Sequence, residues 1–151
     1  MLGVSKEDAD KLIFNCAFDS TVNDWTAGGK AIVRYDSSGR VDVDRNGQSW
    51  TPLCYQELSV IVGDEIVFSA DYEVIDHACD LAIFPSDSDT HLVDYGHAYN
   101  SGNMEITHTV TTDDIVKLAL NPSSSVSARG YYDNVVVTLN GITVSTNEES
   151  I

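Results

Sequence analysis

From Glu65 to Ile75 apolar and polar side chains alternate. Ile66, Phe68, Ala70, Tyr72 and Val74 fall on one side, with Glu65, Ser69, Asp71 and Glu73 on the other. A period of two predicts a strand with one face buried. "KAIVRYD" and "RVDVD" repeat the pattern on either side of Ser37-Ser38-Gly39, which predicts a hairpin. "LCYQELSVIV" reads as another strand, closed by Gly63-Asp64, and "CDLAIFP", "HLVDYGHAY", "MEITHTVT", "IVKLALNP" and the run from Arg129 to Leu139 follow between turn residues. About ten short strands with repeated turn signals predict an all-β sandwich or barrel. Helical spacing occurs only in "SKEDADKL", with Ser5 as N-cap. The polar tail "STNEESI" is expected to fray.

With 151 residues and 42% hydrophobic content the chain suits one globular domain. A formal charge of −16 repels phosphate backbones and anionic lipid, so no nucleic-acid or membrane-surface role is expected. Cations, neutral sugars or a basic protein partner fit that field, as does a surface that is acidic only for solubility. The opening "MLGVSKEDADKLIF" breaks any signal-peptide core with charges, so synthesis in cytoplasm is expected. Cys16, Cys54 and Cys79 have no CxxC spacing and read as small core residues in a reducing compartment.

The residues offer little catalytic chemistry. "DVDRNG" places Asp42, Asp44, Asn46 and Gly47 as in the first half of a calcium-binding EF-hand loop, but the twelfth position is Leu53 instead of Glu. A hairpin turn at Arg45-Asn46-Gly47-Gln48 is the better reading. His77, His91, His97 and His108 have no metal-binding spacing and read as isolated surface histidines, and no GxSxG or HExxH motif is present. The protein is therefore not expected to be an enzyme.

Aromatic residues suggest more. Trp50, Tyr55, Tyr95 and Tyr99 could form a platform on which sugar rings stack, with Glu57 and Asp71 accepting hydroxyls. Parity in "LCYQELSV" turns Gln56 inward and Tyr55 and Glu57 outward; Asp71 and Glu73 point outward from the next strand, which predicts a shared polar-aromatic groove. Ordinary half-buried aromatics explain the pattern as well. Asp133 and Asn134 stand at the mouth of the apolar run Val135-Val136-Val137, where they hold a metal, hold a neighbouring loop, or remain solvated.

From about residue 12 to 140 the order of signals resembles the jelly-roll carbohydrate-binding modules of families four, nine and twenty-two. The motifs are Asn15, Phe18, Asp19 and Trp25, then Gln56, Leu58, Val60 and Gly63, then Tyr132, Asp133, Asn134 and Val135. The resemblance implies an all-β jelly-roll sandwich over residues 15–145, with a short N-terminal arm or helix and the start of the first strand at 1–14 and a flexible tail at 146–151. It also implies that Asp19 and Asp133 meet around a structural calcium; otherwise Asp133 and Asn134 hydrogen-bond the backbone of the first turn, and no cofactor is required. Modules of this fold also occur in tailed-bacteriophage virions. By that analogy the leading expectation is a non-catalytic virion protein, decorating the capsid or associated with the tail. It would contact the major capsid or another virion protein as a homotrimer or dimer, through its arm and one set of loops. The alternative is a module that recognises polysaccharide through exposed aromatics.

Overall fold

The computed structural model describes residues 11–87, 94–112 and 114–150, and within them the chain is built from strands and turns. The strands are β1 (Thr26–Ala27), β2 (Ile32–Asp36), β3 (Arg40–Asp44), β4 (Cys54–Val60), β5 (Glu65–Asp76) and β6 (Ala78–Pro85). They continue with β7 (Asp94–Ala98), β8 (Gly102–Thr109), β9 (Asp114–Ser123), β10 (Arg129–Leu139) and β11 (Ile142–Thr143). One sheet has five strands in the order β1-β4-β9-β6-β7; the other runs β2-β3-β10-β5-β8, with β11 added to β10. All these pairings are antiparallel. The fold is an all-β sandwich, as the alternation predicts, with the jelly-roll form that the resemblance implies.

Alternation also sets the core. Leu58, Val60, Leu81, Ile83, Leu118 and Leu120 from the first sheet meet Val41, Val43, Ile66, Phe68, Val135 and Val137 from the second. Tyr132 is buried among them, and its hydroxyl donates to the Asp80 carbonyl at 2.9 Å, which removes the cost of an unpaired phenol. The three cysteines are free thiols in the interior, and burial pushes Cys16 and Cys79 up to about 12.

The inward Gln56 has a definite task. Its amide accepts from the Phe14 N–H at 3.0 Å and donates to the Phe14 carbonyl at 2.6 Å, so one side chain serves a buried backbone that has no strand beside it there. Ile13 and Phe14, assigned from sequence to the arm, are buried, and Ile13 bridges Ser145 in parallel. The predicted helix falls mostly on residues 5–10, outside the described residues.

Other expectations change. The turn at Arg45–Gln48 forms, with Gln48 N–H donating to the Arg45 carbonyl at 2.8 Å and positive φ at Asn46 (52°) and Gly47 (82°). It does not join a hairpin, because β4 lies in the other sheet; residues 45–53 instead cross between sheets. Nor is Asp42 available to a calcium loop, since Arg129 holds both its oxygens at 2.9 and 2.8 Å. The expected frayed tail is hydrogen-bonded to the first turn: Cys16 N–H donates to Thr146 O (3.0 Å), Asn15 N–H to Glu148 O (2.7 Å) and Ser150 N–H to Asp24 (3.0 Å).

Candidate functional site

The outer face of the five-stranded sheet carries most of the aromatic residues singled out in the sequence. Cross-strand partners share a face. Tyr55, Ala119, Ala82 and Tyr95 therefore form one row across β4, β9, β6 and β7. A neighbouring row holds Glu57, Lys117 and Phe84. Residues 45–53 lie against this face: the fully buried Asn121 accepts from Leu53 N–H at 2.9 Å and donates to the Thr51 carbonyl at 2.8 Å. That anchor sets Trp50 on a seat of Ala82, Ala119 and Phe84, with ring centroids 5.9 Å apart between Trp50 and Phe84. Small residues are needed at 82 and 119 because the indole occupies the space a larger side chain would fill.

Around this central ring, Tyr55 is half-buried with the Lys117 ammonium 5.2 Å from its ring centre, while Tyr95 and Tyr99 are 55% and 65% exposed. A cleft of about 150 Å³ adjoins Tyr55, walled by Gly28, Gly29, Thr51, Pro52 and Lys117. Gly28 is required there, since a Cβ would stand 1.7 Å from the Pro52 carbonyl oxygen. Among the residues expected to bind, Trp50, Tyr55, Glu57, Tyr95 and Tyr99 thus come together. Asp71 does not. β5 belongs to the other sheet, so Asp71 and Glu73 lie on the opposite outer face and the predicted groove between β4 and β5 does not exist.

Sequence reasoning missed the polar cluster beside the platform. His97 shares its strand face with Tyr95, and its ring meets Tyr99 edge to face at 4.7 Å. Its Nδ1 lies 2.5 Å from Asp80 Oδ1, which also accepts from the Ser123 hydroxyl at 2.7 Å. Burial raises the Asp80 carboxyl, against the lowering influence of Ser123, His97 and the nearby Arg45 guanidinium. Arg45 is buried, 5.7 Å from the Trp50 ring centre. Period-two spacing from Tyr95 would have found His97; nothing in "CDLAIFP", buried from Cys79 to Phe84, marks Asp80. The trio is not a hydrolytic triad. Ser123 and Asp80 both approach Nδ1, whereas a triad places the nucleophile on the opposite nitrogen.

A larger cleft, about 230 Å³, lies on the other face at the β10 bulge. Three of its charged residues have partners: Arg40 binds Glu73 and Asp36 and stacks 4.0 Å from the Tyr131 ring centre, and Asp71 accepts from Asn103 and Asn134 at 2.9 Å each. Asn134, at φ 49°, takes the left-handed turn that forms the bulge, and its side chain reaches Asp71, not the first turn. The link from β10 to the first turn is the Val135 N–H, donating to Cys16 O at 3.0 Å. Burial and the neighbouring Asp71 and Asp19 raise the Asp133 carboxyl, whose Oδ1 accepts only the Asn134 N–H among the described residues. Calcium takes six to eight oxygens. Asp19 and Asp133 supply at most two side chains, and no group of three or more acidic, His or Cys side chains among the described residues could hold a metal. The side-chain set by itself does not fit a calcium cage.

No family model and no curated protein matches the chain. Solved structures do. A CBM4 carbohydrate-binding module aligns with a TM-score of 0.57 at 16% identity, covering 83% of this chain and 97% of that one. The CBM22-1 and GH10 modules of endo-1,4-β-D-xylanase 10B from Clostridium thermocellum, complexed with xylohexaose, align at 0.52 and 11% identity, over 94% of this chain and 30% of that longer one. A family 29 carbohydrate-binding module complexed with mannohexaose aligns at 0.50 and 13%, over 87% and 92%. At these identities the likeness shows a shared jelly-roll fold.

Proposed function

We propose that the protein is a non-catalytic carbohydrate-binding module that takes a neutral polysaccharide across the outer face of its five-stranded sheet. The observation that carries this reading is the seat of Ala82, Ala119 and Phe84 under Trp50, with Tyr55 on one side and Tyr95 and Tyr99 on the other. An aromatic ring held on such a seat can stack on the C–H face of a pyranose, and flanking polar groups take its hydroxyls. The carbohydrate-binding modules that share the fold add weight, whereas the capsid-decoration reading retains only the analogy that suggested it.

The test is affinity electrophoresis and calorimetry against xylan, glucomannan and mixed-linkage β-glucan, with xylohexaose and mannohexaose as soluble probes. Trp50→Ala should weaken binding at least tenfold with the fold intact by circular dichroism, as expected for losing a stacking ring of about 1.5–3 kcal/mol. Equal affinity of Trp50→Ala and wild type would remove the platform from consideration.

A further inference from the structure

We infer that His97 is itself a sugar-contacting residue of this platform, with its Nε2 lone pair presented to a hydroxyl and its ring fixed by Asp80 and Ser123. The inference rests on the platform reading and adds a specific polar contact to it. Three observations lead there. First, His97 lies on the sheet face between the two most exposed tyrosines: the Asp80–His97 pair is next to the row containing Tyr95, and Tyr99 meets the imidazole edge to face. Second, its side chain is 31% exposed although one nitrogen is tied to a carboxylate that is only 5% exposed, so the free edge of the ring is the solvent-facing one. Third, the hydrogen-bond network assigns the proton. A carboxylate only accepts, and the Ser123 hydroxyl already donates to Asp80 Oδ1, so the 2.5 Å contact with Nδ1 places a hydrogen on Nδ1. The Ser123 oxygen, 3.1 Å from Nδ1, can accept from the same N–H.

With the hydrogen on Nδ1, the neutral form of the ring presents Nε2 as an acceptor, and among the described residues Nε2 has no hydrogen-bond partner. Stacked sugars expose hydroxyls around their rim, so an acceptor between two stacking rings fixes orientation that the aromatic faces alone leave open. Asp80 acts through His97 as a positioning residue. It sets the tautomer and holds the imidazole plane, and the imidazole in turn braces Tyr99 edge to face at 4.7 Å with an interplanar angle of 90°. Binding a neutral hydroxyl through one such acceptor is worth about a five- to tenfold change in affinity.

Long-range ¹H–¹⁵N correlation spectra of the full-length protein read the tautomer directly, without ligand. The expected result is protonated Nδ1 and bare Nε2, with the Nε2 resonance moving when xylohexaose, mannohexaose or a β-glucan oligosaccharide saturates the protein. His97→Ala should weaken that binding about five- to tenfold. Asp80→Asn, whose amide can donate to Nδ1, should transfer the proton to Nε2 and weaken binding comparably, with thermal melts checking the fold of both variants. A wild-type ring protonated on Nε2, an Nε2 resonance unmoved at saturation, or undiminished binding by His97→Ala would each overturn this inference while leaving the platform standing. Failure of every glycan to bind overturns the platform and this contact together.

Discussion

At the residue scale, two carboxylates on the second sheet are held in opposite senses. Hydrogen bonds from Asn103 and Asn134 hold the Asp71 carboxyl below the usual range. Its stabilisation is therefore complete above the ordinary carboxylate pKa and is lost as pH falls through the lowered value. Asp133, raised by burial and then by Asp71 and Asp19, favours the fold at low pH and costs stability as pH rises through its raised value. Asp133→Asn should thus raise the melting temperature at pH 7 in chelator by about 1–3 °C and leave it nearly unchanged at pH 3, as scanning calorimetry can show. The same variant tests the calcium expectation. Were Asp19 and Asp133 to hold an ion, saturating calcium would raise the wild-type melting temperature and lose that effect in the variant. Coincident wild-type melts with calcium and with chelator would end the metal reading.

At the scale of elements, the connection from β3 to β4 matters most, because it turns an outer sheet face into a seated aromatic platform. Two devices hold it: the Asn121 amide clamp and the small residues under Trp50. Asn121→Ala leaves the Leu53 N–H and Thr51 carbonyl without their partner and should cost about 2–3 kcal/mol in chemical denaturation, with altered Trp fluorescence. Ala119→Leu should act differently. Overpacking lifts the indole, so stability falls by about 1–3 kcal/mol while glycan binding is lost as fully as in Trp50→Ala. Retained binding in Ala119→Leu would show that the seat does not set the platform.

At the scale of the whole molecule, the two ends of the described chain close one edge of the sandwich. Ile13 accepts from the Thr146 N–H at 2.9 Å and donates its own N–H to Val144 O at 2.9 Å, and Thr146 and Glu148 accept from Cys16 and Asn15. This closure covers Ile13 and Phe14, both buried. Removing residues 146–151 should lower the melting temperature by roughly 4–8 °C, equivalent to about 1–2 kcal/mol, and speed proteolysis near the first turn. Unchanged melting would mean the tail adds nothing to the fold. With a formal charge of −16, stability should also rise with moderate salt as self-repulsion is screened.

Alternation by itself determined that this chain forms strands and which side of each is buried. Ile66, Phe68 and Ala70 went inward, and so did Gln56, because a period of two fixes the face once one apolar set is buried. Turn chemistry at Ser37–Gly39 and Asn46-Gly47 was equally local and equally legible. Which strands become neighbours is not local. β4 and β5 follow each other in sequence yet enter different sheets, so Tyr55 and Asp71 parted although parity put both outside. Tyr95, 40 positions from Tyr55 in the numbering, came into its row through the pairings of β9 and β6. Asp80 acquired meaning only when β6 was placed between β9 and β7, which set Ser123 and His97 on either side of it. The periodicity of side chains is a property of the backbone, carried by each segment alone; the site is a property of strand order, which only the packing of both sheets on a common core could decide.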